Sequence, residues 1–261
     1  MPTSTRSRCP RMSDGSPPRA GALPRPPAWA ITFDAPVPYE QGTVWQERIH
    51  AARLRGEIPD VFLLLQHSPV VTLGRRGRSN NVLVSREALA ARGIELHTAG
   101  RGGDVTYHGP GQWVLYPILR LGAGEADAHG HLFNLEETAI RTAGQFGIRA
   151  VRRPGMAGAW TDRGKIAAIG FYLRRWVTLH GMSFNVDVDL SGFAAIVPCG
   201  LAGEPVSSLR TILGDDCPPR AAVGEVLLQH GADVMRRRLV VRSTPDSAPA
   251  PLRALLADSG A

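Results

Sequence analysis

Apolar positions recur along this chain with two different periods, and the switches between them set out its elements. Trp29 to Phe33 has the composition of a strand, and Tyr39 to Leu54 places Val44, Ile49 and Ala52 on one face of a helix. Val61 to Leu65 and Val70 to Leu73 are short apolar strands on either side of a His67-Ser68-Pro69 turn. Ser85 to Arg92 predicts a helix capped by Ser85, with Glu87 in its first turn where the helix dipole favours a negative charge. Ile94 to Thr98 leads into a glycine-dense loop, and Gly111 to Leu121 resumes as a strand. His131 to Phe146 is the most amphipathic helix, with Leu132, Leu135, Ala139, Ala143 and Phe146 on one face.

Four strands then follow without a helix between them: Ala150 to Arg153, Ala157 to Thr161, Lys165 to Leu173 and Val177 to Val186. Residues 162–164 and 174–176 supply hairpin turns, and a last helix runs from Arg220 to Arg238. Helices bracketing a run of antiparallel strands predict an α+β fold and not a doubly wound sheet.

The ends differ in composition from the middle. Residues 1–28 hold seven prolines and predict a disordered Pro/Arg-rich extension, residues 29–240 a single domain, and residues 241–261 a flexible tail. The formal charge of +7 is misleading, because Arg6, Arg8, Arg11, Arg19 and Arg25 against Asp14 alone supply more than half of it. The domain itself is only mildly basic, so nucleic acid is not an expected partner. No apolar run is long enough to span a bilayer and no apolar leader opens the chain, so neither membrane nor export is expected. Three cysteines, Cys9, Cys199 and Cys217, lack disulfide or zinc spacing, which predicts a reduced, cytoplasmic protein without a metal.

Of the thirty basic residues, Lys165 is the single lysine. Arginine replaces lysine wherever only a solvated cation is needed, but not where a proton must leave and return. Lys165 opens the strand segment DRGKIAAIG; alternation would put it on one face with Ala167 and Ile169, and Ile166, Ala168 and Gly170 on the other. Partial desolvation there would make it usable as a base, against which stands a solvated hairpin lysine. The segment GRGGDVTYHGPGQ (100–112) has little side-chain bulk, which suits either a loop whose amides approach a ligand or a tight double turn. Cys199 lies in a Pro-Cys-Gly turn, suited to a presented nucleophile with nearby N–H donors or to a buried structural thiol. Phosphate-loop, HExxH, GxSxG and dinucleotide fingerprints are absent, and His129 and His131, at the start of a helix, are expected to be solvated.

Taken together, RGGDVTYHGPGQWVLYPI (101–118), GAWTDRGKIAAIGFYLRRWVTLHGMSFNVDVDLSGF (158–193), and IVPCG (196–200) with SSL (207–209) resemble the lipoyl(octanoyl) transferases over about residues 29–240. The resemblance implies a catalytic domain with a mixed, mainly antiparallel sheet flanked by helices, similar to lipoate and biotin protein ligase domains. It implies a Cys199/Lys165 catalytic pair and no cofactor. Substrate contacts carry over onto Arg101, Gly102, Gly103, Asp104, Val105, Thr106, Tyr107 and His108, onto Ala168, Ile169 and Gly170, and onto Gly181, Met182 and Ser183. The Arg163-Gly164 order departs from the commoner Gly-Arg of the family, a difference expected to matter little at a hairpin tip.

The implied activity moves an octanoyl group from octanoyl-acyl carrier protein to a lysine on lipoyl domains of 2-oxoacid dehydrogenases and the glycine cleavage H protein, by a monomer in the cytoplasm. Two other readings compete: an ATP-dependent lipoate or biotin ligase on the same fold, and a non-catalytic acyl- or nucleic-acid-binding protein. Neither gives a role to a cysteine in a Pro-Cys-Gly turn paired with the single lysine.

Overall fold

The computed structural model of the protein describes residues 24–197 and 203–257. Cys199 and almost all of the N-terminal extension lie outside the described residues. Within them, a large sheet is built from β1 (Pro27–Thr32), β2 (Asp60–Leu65), β6 (Gln112–Ile118), β7 (Val151–Arg153), β8 (Met156–Thr161), β9 (Gly164–Arg174), β10 (Val177–Asn185) and β11 (Arg238–Ser243). Its order is β11-β1-β2-β6-β10-β9-β8-β7. β1 runs parallel to both neighbours, and every pairing from β2 across to β7 is antiparallel. A smaller sheet, β4-β3-β5, joins β3 (Val70–Leu73), β4 (Glu95–Thr98) and β5 (Val105–His108). The fold is the expected α+β arrangement with a mixed, mainly antiparallel sheet.

β2 reads Asp-Val-Phe-Leu-Leu-Leu and is buried throughout, because helices cover both faces of the large sheet. Phe62 and Leu64 face a core shared with α3 (Ala128–Gln145) and α5 (Arg220–Val234). Val61, Leu63 and Leu65 face a second core shared with α1 (Tyr39–Arg55) and α6 (Ala250–Leu256). Burying each large apolar side chain stabilises the fold by roughly 1.5–3 kcal/mol relative to exposure. α3 begins at Ala128, a turn earlier than its apolar stripe suggests, because the Asp127 carboxylate accepts from the backbone N–H groups of His129 and Gly130. Its first turn therefore carries His131 inward, and this histidine is buried against Phe171, not solvated.

Several expectations are corrected. Val105–His108, expected within a loop, is the fully buried strand β5. β2 and β3 do flank the turn at His67-Ser68-Pro69 as expected, each in a different sheet. The last long helix stops at Val234, and the chain returns as β11 to pair with β1, passing the boundary expected at residue 240. The tail beyond it is ordered through residue 257, with Ala248, Leu252 and Leu256 spaced four apart and buried in the second core. Leu252 and Leu256 on one face of α6, with Ala248 just before its N-cap, outweigh the Pro/Ser-rich composition around them.

Candidate active site

A β-bulge places Lys165. Trp160 of β8 pairs with Lys165 and Ala159 pairs with Ala167, so two residues of β9 oppose one step of β8 and Ile166 is the extra residue. The bulge breaks the expected alternation. Lys165 faces the same cavity as Ala168 and Gly170, while Ile166 and Ala167 go into the core. Lys165 is only 5% exposed, and its ammonium lies 4.7 Å from the centroid of the Trp160 ring, which itself is buried. Gly158, opposite, has no side chain to crowd it: an added Cβ would come within 3.2 Å of Lys165 Cε.

The cavity encloses about 1100 Å³. One wall is the glycine loop, which bridges the two sheets. Gly102 N–H donates to Phe171 O on β9, while the next loop donates back to it through Arg75 N–H to Arg101 O and Arg76 N–H to Gly103 O. Gly170 permits this approach, since a Cβ there would lie 2.8 Å from Gly102 O and 2.9 Å from Arg101 Cδ. The buried Arg101 guanidinium donates to both oxygens of Thr72 at 2.8 Å and to Gly102 O at 3.0 Å. The Asp104 carboxylate is consumed locally by Val105 N–H, Arg78 N–H and Asn81 Nδ2.

Arg101 to Thr106, His108, Ala168 to Gly170 and Gly181 to Ser183 all line the cavity with Lys165. Tyr107 is not among its lining residues. Its ring packs on Phe193 at 5.3 Å and fills the space above Gly192. Tyr107 therefore sits behind the wall and supports it. Apolar surface comes from Leu132, Met156, Phe171 and Leu173.

His108 lines the cavity, and the buried rings of His67 and His180 pack behind the lining against His108 and Tyr116. His67 Nδ1–H donates to Val37 O, leaving Nε2 to accept from the Tyr116 hydroxyl at 2.8 Å. Burial lowers its pKa to about 4. Burial, with His67 adjacent, lowers His108 to about 3, and burial near Arg101 lowers His180 to about 4. With pKa values this low the three rings add no positive charge at neutral pH, and His108 gives the lining a polar, uncharged group.

From His108 a directional chain of hydrogen bonds runs toward Lys165. His108 Nδ1–H donates to Gln112 Oε1, Gln112 Nε2 to Asn185 Oδ1, Asn185 Nδ2 to Ser207 O, and Ser207 N–H to Lys165 O. Lys165 N–H in turn donates to Pro205 O at 2.9 Å, so residues 205–207 run beside the lysine as a short parallel bridge. On the other flank, Val197 N–H donates to Asn81 O and Leu83 N–H to Ala195 O. Both chain ends that lead into residues 198–202, and hence to Cys199, are thus pinned to walls of this site.

Gly164 makes that arrangement possible. Its φ is +121°, and a Cβ would collide with the Pro205 carbonyl. Gly164 thus fits the chain lying across it, where a side chain would meet the Pro205 carbonyl. Sequence reasoning missed Tyr39, Tyr116, Arg75, Arg76, Arg78, Asn81 and Asn185. Arginines in an arginine-rich chain give no contrast, whereas the GRRGR run beside an apolar strand (74–78) was a signal available to find three of them.

A buried lysine in a large, partly apolar cavity walled by a glycine loop suits a ligand with an apolar part. Residues 38–232 match the lipoyl protein ligase A/B catalytic domain, and the chain belongs to that family. It is 46% identical over 180 residues to a protein of Geobacter metallireducens named octanoyltransferase, covering 69% of this chain and 81% of that one. An octanoyltransferase of Desulfotalea psychrophila is 44% identical over 201 residues, covering 76% and 90%. The fold is similar to lipoate-protein ligase A bound with ATP (TM-score 0.70, 14% identity, 88% and 92% covered). It is also similar to the bipartite lipoate protein ligase of Thermoplasma acidophilum (TM-score 0.68, 16% identity, 88% and 90% covered).

Proposed function

We propose that this chain transfers an octanoyl group from octanoyl-acyl carrier protein, through a thioester on Cys199, to a lysine amine on lipoyl domains of 2-oxoacid dehydrogenases and the glycine cleavage H protein. The observation that carries this reading is the placement of Lys165, buried in the cavity wall and bonded through its backbone to residues 205–207. Cys199 follows the anchored Val197 by two residues in the sequence. The identity to octanoyltransferases supports the same assignment.

The chemistry balances without ATP. The Cys199 thiolate attacks the thioester carbonyl, a new carbon–sulfur bond forms, and the carrier thiolate leaves with a proton from Lys165. The neutral Lys165 amine then takes the proton shed by the acceptor lysine as its nitrogen displaces Cys199. An ammonium about 4 Å from a thiolate stabilises it by about 4 kcal/mol at an effective dielectric of about 20. The protein acts as a monomer in the cytoplasm, where its thiol stays reduced.

Intact mass after mixing with octanoyl-carrier protein, without ATP, tests the reading. Wild type gains one octanoyl unit and Cys199→Ala gains none. Lys165→Arg acylates more slowly, its fixed charge still favouring the thiolate, and passes the group to a lipoyl domain about 10²–10⁴ times more slowly, because a permanently protonated guanidinium cannot take up the acceptor amine's proton. An adduct that persists in Cys199→Ala, or transfer that requires ATP, overturns it.

A further inference from the structure

The charged groups lining the cavity are Arg75, Arg76, Arg78, Arg101 and Lys165 against Asp104 alone. Arg101 is buried and occupied by Thr72, and Asp104 is spent on Asn81 and two backbone amides. Arg75, Arg76 and Arg78 are different. All three are exposed, all line the mouth, and none forms an ion pair within the described residues.

Their backbone is not loose. Gly74 N–H donates to Asp104 O, Arg75 N–H to Arg101 O, Arg76 N–H to Gly103 O and Arg78 N–H to Asp104 Oδ1. The Arg75 guanidinium is further held over the Tyr172 ring at 4.6 Å. Three arginines on a backbone held this way, at the mouth of a partly apolar cavity, match a ligand with an apolar end and an anionic group some distance from it.

We propose that Arg75, Arg76 and Arg78 form a phosphate site for the donor, holding the phosphate of a phosphopantetheine arm while its acylated sulfur reaches inward to Lys165. The proposal rests on the acyl-thioester donor of the preceding section and adds where that donor is gripped. Acyl chain and phosphate are then read at opposite ends of one cavity, so discrimination against short neutral thioesters is set at the rim and not at the reacting atoms.

The test compares octanoyl-phosphopantetheine with octanoyl-pantetheine, which lacks the phosphate, as donors to a lipoyl domain. Wild type prefers the phosphorylated donor in kcat/KM by about tenfold or more, mostly through KM, and the preference shrinks as ionic strength rises. In Arg76→Gln and Arg78→Gln the preference falls to within about threefold of unity, with melting temperatures showing that the variants fold. The salt series on wild type stands even if a variant fails to fold.

No preference in wild type, or a preference that survives both substitutions, overturns the phosphate site. Variants slowed only with intact carrier protein, at an unchanged ratio between the two small donors, also overturn it and assign the arginines to acidic side chains of the carrier. Absence of transfer from either small donor and from the carrier protein counts instead against the acyl-transfer reading itself.

Discussion

Four histidines, His67, His108, His131 and His180, are buried with pKa values lowered to about 4, 3, 4 and 4, burial being the leading cause for each. In the unfolded chain each titrates near 6.5. Below that pH the unfolded state binds protons that the folded state refuses, so stability is full above about pH 6.5 and falls with pH until the folded values are reached. At pH 5 the difference is about 2 kcal/mol per histidine, and four of them rival a total folding free energy of roughly 5–15 kcal/mol. The urea midpoint should therefore drop steeply between pH 7 and 5, above the range in which most carboxylates titrate. A midpoint constant across that interval would mean that these rings are protonated in the fold. None of this was legible from sequence, since a histidine's burial depends on which distant element covers it. Lys165 was legible, because its rarity in this chain is itself a signal.

At the scale of elements, Gly164 and residues 205–207 act together. An alanine at position 164 would have to adopt φ +121° and push its Cβ into Pro205, breaking the bonds that hold residues 205–207 to Lys165. Gly164→Ala should lower the rate of octanoyl transfer at least tenfold and cost about 1–3 kcal/mol of stability. Gly147→Ala is the matched control. Its φ is +75° with nothing within 4 Å of the added Cβ, so it carries backbone strain without the collision and outside the cavity lining. Equal rate losses in the two variants would show that strain alone, not detachment, slows the enzyme. Of the elements, α1, α3, β9 and β10 were readable within a few residues, α3 from its apolar stripe and the two strands from the turns that bound them. The bulge at Ile166 was not, because it exists only as a mismatch between two strands. β5 was hidden for a related reason, four strand residues inside a glycine-rich run, where turn chemistry is the stronger local signal.

Across the whole molecule, distant segments are tied by one buried guanidinium. Arg237 has no exposed side-chain surface, and each of its five N–H donors finds an acceptor. Nε donates to Asp60 on β2, Nη1 to Glu125 and Met235 O, and Nη2 to Glu125 and Arg120 O. Asp60 also accepts from Arg53 on α1 at 2.6 Å and from Arg120 N–H at 2.9 Å. The cluster thus joins α1, β2, the segment between β6 and α3, and the junction from α5 into β11. It lies at the opposite end of β2 from the turn that carries His67, so it holds the scaffold and not the cavity. Removing one partner of a buried, fully bonded pair leaves the other charge without compensation, typically a cost of 3–5 kcal/mol. Arg237→Ala should lower the melting temperature by about 10 °C, given roughly 2–4 °C per kcal/mol in a chain of this size. Arg237→Lys should recover less than half of that loss, because three donors on a point charge cannot replace a planar fork of five. Octanoyl transfer per folded molecule, measured well below the melting range, should change less than twofold in both. A melting shift below 2 °C in Arg237→Ala would show that Arg53 alone suffices for Asp60, and that the chain's return through β11 is held by strand pairing and not by this charge.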